Sequence, residues 1–235
     1  MTEVSSLQLL ARRILPDTPV ADRTAALGLL HRVTRIKRWG SGENICGLDD
    51  PADDWFCVLS GAAHEYVVRS DGRRHIVDLL LPGDFFGFTT QDRRRFAVQA
   101  VLDDTVVARY PRERAEAIAD ADRTISRVLR EQMFETIDRL RQQLLVVGRT
   151  SAVEKVGSFL LRMSERLPYA RLANGDDGIS LPITRYDIAD QLGLSAETVS
   201  RAISELKSGG AIALGGPRMV SIVDRRGLEE RREHA

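Results

Sequence analysis

The chain has very little cysteine. Cys46 and Cys57 are the only two thiols in 235 residues. That is too few for a disulfide framework, and it makes a reducing cytoplasm the expected home. No excess of charge exists either: Lys+Arg and Asp+Glu each number 34. The overall basic field that is the simplest footprint of a nucleic-acid binder is therefore missing. No apolar run approaches the roughly 18 residues a membrane span needs, so no membrane partner is expected. The opening MTEVSSLQLLARRILPD carries acid and base too close to its short apolar run to read as a signal peptide. The histidines, His31, His64, His75 and His234, are scattered with no pair at helical ligand spacing, so no metal site is expected. A Walker loop, G-x-S-x-G, H-E-x-x-H and an acid pair converging with a base are all absent, which makes an enzyme the least expected class.

What is present is concentrated in residues 181–212, LPITRYDIADQLGLSAETVSRAISELKSGGAI. Thr184 is a good helix N-cap, and Asp187 three residues on can close a capping box. Ile188, Ala189 and Leu192 then fall on one face. Gly193 supplies a turn. Ser195 caps a second helix over 196–208, with Val199, Ile203 and Leu206 as its buried stripe and Gly209-Gly210 as its stop. Two short helices joined by a glycine turn form a helix-turn-helix, whose second helix can enter a major groove. Its first turn presents Glu197, Thr198, Ser200 and Arg201. Arginine forks onto guanine, glutamate accepts from cytosine, and serine or threonine adapts to either. Residues 181–235 contain eight basic and eight acidic side chains, so DNA affinity must come from local placement. Thr184, Arg185, Ser195, Thr198, Lys207 and Arg218 are the expected phosphate contacts.

The ETVSR sequence at 197–201 resembles the recognition helix of the CRP/FNR family of bacterial transcription regulators, in the form found in its FNR and FixK branches. The resemblance implies that Glu197, Ser200 and Arg201 read the base edges of a TTGA-type half-site. It also implies RNA polymerase as a partner, usually in activation.

Residues 33–110 change pattern. Short alternating runs recur about every ten residues between Gly, Asp and Pro signals, as in a small antiparallel barrel or sandwich. The family places a double-stranded β-roll that binds cyclic nucleotides here. WFCVLSGAA, with Gly61 in the turn, and LLLPGDFFGF, with Pro82, Gly83, Asp84 and Gly87, resemble its strand-Gly-strand and phosphate-cassette segments. The family's ribose glutamate is missing, because Phe88 and Thr89 follow Gly87. Its phosphate serine is replaced by Phe96 after Arg95. Arg93, Arg94 and Arg95 can either hold an anion or form a solvated turn, and Phe85, Phe86, Phe88 and Phe96 would fill the pocket. No cAMP is expected as a cofactor. The family's oxygen sensors use four cysteines for an iron–sulfur cluster, which two cannot complete. Cys57 reads as a core thiol and Cys46, at a strand end, as a redox candidate.

From residue 122 to 147, Leu129, Met133, Ile137, Leu140, Leu144 and Val147 recur at spacings of 4, 4, 3, 4 and 3. The last five fit an a/d seam on a helix about 35 Å long, and the stripe predicts a parallel homodimer. Pro111 opens a shorter helix before it. Gly148 is a hinge, and Ser151 with Glu154 caps the next helix. Residues 168–180 read as a polar loop, AIALGGPRMVSIVD as a two-stranded wing, and RRGLEERREHA as a fraying tail.

The sequence thus predicts an α+β chain: N-terminal cap helices and a β-roll of the cyclic-nucleotide-binding, jelly-roll type over 1–119, a dimerisation helix over 120–148, and a winged helix-turn-helix over 149–235. The predicted function is sequence-specific binding of double-stranded DNA as a homodimer. A roll gated by a cyclic nucleotide or another small anion is the alternative. A cyclic-nucleotide module that binds no DNA is the alternative from another class.

Overall fold

The computed structural model describes residue 30, residues 32–171 and residues 177–233. The cap helices expected over 1–30 lie outside the described residues, save Leu30. Two compact units are present, one of Met1–Val68 with Val77–Leu140 and one of Arg69–Ile76 with Arg141–Ala235. The division falls inside the long helix rather than at Gly148.

The first unit is built on eight strands in two antiparallel four-stranded sheets. They are β1 (Arg35–Trp39), β2 (Asn44–Cys46), β3 (Asp54–Ser60), β4 (Ala63–Val68), β5 (Arg74–Leu80), β6 (Phe85–Phe86), β7 (Ala97–Ala100) and β8 (Thr105–Pro111). The sheet orders are β1-β8-β3-β6 and β2-β7-β4-β5. Strand β3, DWFCVLS, is buried almost throughout, and its alternation shows why. Phe56 and Val58 point into the core between the sheets with Ile45, Leu80, Phe86 and Val98. Trp55, Cys57 and Leu59 point the other way, into a second core with Phe85, Tyr110, Ile125, Val128 and Leu129. A strand covered on both faces reads as a continuous apolar run rather than an alternating one.

Helices α1 (Arg112–Ala121) and α2 (Arg123–Val147) supply the second cover. Pro111 is the last residue of β8 and the N-cap of α1 rather than its first helical residue. Asp122 starts α2 by accepting from the amides of Thr124 at 2.7 Å and Ile125 at 3.1 Å, which satisfies two of the donors a helix start leaves open.

The second unit holds α3 (Ala152–Arg166), α4 (Arg185–Leu192), α5 (Ala196–Ser208) and α6 (Arg225–Glu233), with β9 (Tyr169–Arg171), β10 (Asp177–Ser180), β11 (Ile212–Leu214) and β12 (Met219–Ile222). The wing is larger than two strands: a four-stranded sheet in the order β11-β12-β10-β9. Residues 168–180 therefore contain two paired strands, because Tyr169, Ala170 and Arg171 pair in register with Ile179, Gly178 and Asp177. The charged tail does not fray as expected but forms α6. Asp224 accepts from the Gly227 amide at 2.8 Å, and Leu228 is buried. Gly157 on α3 permits this docking, since a Cβ there would stand 3.1 Å from a Leu228 methyl.

Gly61 joins β3 to β4 with φ +84°, and a Cβ would lie 2.5 Å from Thr105 Oγ1 and 2.7 Å from its Cα. Both the backbone angle and the backbone contact exclude a side chain. Gly61→Ala should lower stability by about 2 kcal/mol or more, read as a fall in the urea midpoint with an unchanged m-value.

Candidate nucleic-acid interface

Helices α4 and α5 form the helix-turn-helix, and each is capped as its sequence dictates. Thr184 Oγ1 accepts from the Asp187 amide at 3.2 Å, and an Asp187 carboxylate oxygen accepts from the Thr184 amide at 2.9 Å. This is a complete capping box. Gly193 ends α4 in the left-handed region at φ +66°. Ser195 Oγ accepts from the Thr198 amide at 3.1 Å to start α5. Val199, Ala202, Ile203 and Leu206 are buried, which turns the opposite face of α5 outward.

That face carries the residues expected to read bases. Glu197 and Arg201 are exposed and Ser200 is half-buried. Arg201 donates to Thr198 Oγ1 at 3.3 Å, and Arg185 reaches across from α4 to donate to Ser200 Oγ at 3.3 Å. The structure therefore brings together one expected phosphate contact and one expected base contact. The Thr184 hydroxyl is already spent on the capping box, where it donates to Asp187 Oδ2 at 2.7 Å. Ser195 and Thr198 share a hydroxyl–hydroxyl bond of 2.9 Å. Lys207 in the last turn of α5 and Arg218 at the start of β12's turn are exposed. Tyr186, beside Arg185 on the first turn of α4, is 78% exposed. It is an aromatic two residues from the Thr184 N-cap and outside the buried Ile188–Leu192 stripe.

The expected dimer seam is divided. Leu129 lies in the core beneath β3 and β8, and Met133 packs against that core. The expectation for Leu129 is corrected, since it is buried under the roll, and Met133 is in part taken up there too. Ile137 is exposed, Leu140 and Val147 are half-buried, and Leu144 is 72% exposed. Phe134 and Leu145, which the a/d assignment missed, are 57% and 67% exposed. A real helix of 3.6 residues per turn drifts about 20° per heptad against a 3.5 repeat. One stripe can therefore face the roll first and solvent later.

Within the roll, a cavity of about 110 Å³ is lined by Cys46, Glu65, Phe86, Phe88, Arg94 and Phe96, among others. Phe88 packs on Trp55 at 5.1 Å between ring centroids. Phe96, by contrast, is 39% exposed and does not fill the space as expected. Arg94 is not part of a solvated turn: it is buried, donates to the Asp54 carbonyl at 2.7 Å and lies over the Phe56 ring at 4.9 Å. Gly87 admits it, because a Cβ there would meet its Nη1 at 2.8 Å. Cys46 is buried as well. Burial pushes its thiol up to about 11, so it holds its proton at neutral pH and lacks the nucleophilic thiolate a redox residue needs. The exposure expected of Cys46 at its strand end is corrected, and neither its burial nor its raised thiol favours a redox role.

Behind the cavity lies a buried charge cluster. Arg139 of α2 donates to Asp78 at 2.6 Å and approaches Asp84 at 3.3 Å. Asp84 also accepts from the Leu81 amide at 2.6 Å. Burial, and then the Asp78 charge, raise the Glu65 carboxyl to about 7 against the opposing pull of Arg139 and Arg94.

A double-sheet roll, a long helix with an apolar face and a winged helix-turn-helix with Glu, Ser and Arg turned outward define a modular DNA-binding regulator. Residues 36–122 match the cyclic nucleotide-binding domain and residues 154–231 the Crp-like helix-turn-helix domain. The chain is 35% identical over 202 residues to the nitrogen fixation regulation protein FixK of Bradyrhizobium diazoefficiens, covering 85% of this chain and 83% of that protein. It is 38% identical over 184 residues to the FixK of Azorhizobium caulinodans, covering 78% and 73%. The solved structure of FixK2 from Bradyrhizobium japonicum superposes with a TM-score of 0.77 at 35% identity, covering 86% of this chain and 99% of that one. The chain belongs to the CRP/FNR family, as a FixK-like transcription regulator that binds DNA and is not an enzyme. Among the described residues no helix is long and apolar enough to cross a membrane.

Glu65 gives a pH test of the roll. Its folded carboxyl titrates higher than an ordinary glutamate, so the protonated form favours folding. That stability is complete below the ordinary glutamate range and is lost as pH rises through about 7. The loss runs at about 1.4 kcal/mol per pH unit within that window. Glu65→Gln should abolish this part of the decline, measured as urea midpoints of both proteins between pH 5 and 8.

Proposed function

We propose that two copies pair through the apolar face of α2 and insert both α5 helices into successive major grooves of a TTGA-type palindrome. The observation that carries this reading is the outward face of α5, where Glu197, Ser200 and Arg201 stand within two turns of the helix start. Arg201 would fork onto guanine, Glu197 would accept from cytosine, and Ser200 would meet thymine or phosphate. Arg185, Lys207 and Arg218, with Thr184, Ser195 and Thr198 near the two helix starts, would hold the backbone and fix the register. Phe134, Ile137, Leu144 and Leu145 supply the self-pairing surface.

DNA binding in this reading needs no cyclic nucleotide and no iron–sulfur cluster. The cavity of about 110 Å³ is well below the roughly 300–1,000 Å³ of ordinary ligand sites, and Phe88 stands where the family keeps its ribose glutamate. Both cysteines are buried. The protein would act in the cytoplasm, with RNA polymerase as its partner in activation. The relatives' names, nitrogen fixation regulation protein, point to genes of nitrogen fixation. A second reading is favoured by Arg94 and Arg95 in the cavity wall: the roll is gated by a small anion.

The apo protein should bind a TTGA-N6-TCAA duplex in strong preference to a scrambled one at fixed salt. Binding only after cAMP is added would overturn the effector-free reading. Arg201→Ala should cost about 1–3 kcal/mol at the cognate site and relax discrimination there. An equal loss on every sequence would make it a phosphate contact. Leu144→Glu should convert the dimer to a monomer in sedimentation, and a dimer of unchanged strength would discredit the pairing face.

A further inference from the structure

Near its C-terminal end, α2 carries a side chain that three helices share. Gln143 is buried, and each end of its amide is engaged. Its Nε2 donates to the main-chain carbonyl of Gln191 at 3.0 Å. Its Oε1 accepts from Nη2 of Arg162. Arg162 lies on α3 and Gln191 in the last turn of α4, directly before the Gly193 turn. Both are buried as well.

The Gln191 carbonyl sits where a helix runs out of its own donors. The last four carbonyls of an α-helix have no intrahelical partner. The amides of Gly193 and Leu194 both turn back to Ala189, so Gln143 provides a donor that the turn itself does not aim at Gln191. A buried polar bridge of this kind is directional, unlike the apolar contacts around it. The next two residues of α2, Leu144 and Leu145, face solvent on the surface assigned to pairing. One turn of helix therefore joins the pairing surface to the last turn of the first helix-turn-helix helix.

We infer that Gln143 is a positioning residue: it fixes the bearing of each helix-turn-helix on the pairing helix, and so sets the half-site spacing that the dimer accepts. The inference rests on the dimeric reading above. Each added base pair moves a half-site by about 3.4 Å along the duplex and turns it by roughly a tenth of a revolution. A dimer rejects the wrong spacing only if both reading heads are held stiffly. A loosened bearing lets each head follow its half-site, so discrimination between spacings falls.

The test uses full-length protein and TTGA/TCAA duplexes with spacers of five, six and seven base pairs. Gln143→Glu keeps an acceptor facing Arg162 but removes the donor to Gln191. Gln143→Met removes both bonds at similar volume and gives the same reading if the glutamate variant does not fold. The unsubstituted protein should favour the six-base-pair spacer by about tenfold or more, and the variants by about threefold or less, with sedimentation still showing dimers. Equal weakening on all three duplexes, with the preference intact, would mean that Gln143 only stabilises the fold and would overturn the inference. Failure of the unsubstituted protein to prefer any palindrome over a scrambled duplex would instead remove the dimeric reading, and this inference with it.

Discussion

Arg139 is the contact on which the roll and its covering helix depend. Its guanidinium is buried against Asp78 and Asp84, and it also points toward the Phe85 carbonyl at 3.5 Å. A buried ion pair is often no better for stability than well-packed apolar groups, but losing one partner leaves an uncompensated charge at a cost of about 3–5 kcal/mol. Such a cluster therefore chooses one geometry and penalises the others. Here it chooses the rotation of α2 about its own axis. Leu129 and Met133 face the roll, and Phe134 and Ile137 face away.

The same cluster gives the PGD segment a role that the family resemblance alone did not. Asp84 closes its own turn through the Leu81 amide and then offers its other oxygen to Arg139. The segment that leads into a phosphate cassette elsewhere in the family serves here to dock a helix. Glu65 stands between this cluster and the cavity. It feels Asp78 and Arg139 on one side and Arg94 on the other. Glu65 therefore holds a proton more readily than an ordinary glutamate, first because burial penalises its charge and then because Asp78 repels it.

Local chemistry was the legible part of the sequence. Thr184, Asp187 and Ser195 cap helix starts through their side chains, and Gly193 ends a helix through its left-handed backbone. The recognition helix was readable for the same reason, since its buried and outward faces follow from periodicity alone. What the sequence hid was which face meets which partner. The 129–147 stripe was a single apolar signal, yet Leu129 is buried under the roll while Leu144 stays exposed. Arg94 looked like one of three equivalent surface arginines, and only the space opened by Gly87 separates it from Arg93 and Arg95. The tail looked ready to fray because its buried residue, Leu228, is surrounded by charge. Its partner, Gly157, is an absence of side chain 71 positions earlier.

The lack of net charge also has a consequence for how this protein finds its sites. Non-specific affinity for DNA comes almost wholly from phosphate neutralisation and counterion release. Residues 181–235 carry equal numbers of acidic and basic side chains, so the net charge of this region adds nothing to a background attraction to arbitrary duplex. Acidic groups close to the reading face, Glu197 among them, weaken it further on any sequence that offers no donor to meet them. Affinity at a correct site must then come from a few well-placed bonds and from the pairing of two reading heads. The ratio of specific to non-specific binding, rather than affinity itself, is what a regulator needs among many competing sites. On the proposed reading, a neutral chain with a firmly held recognition helix would reach that ratio by lowering the background instead of raising the peak.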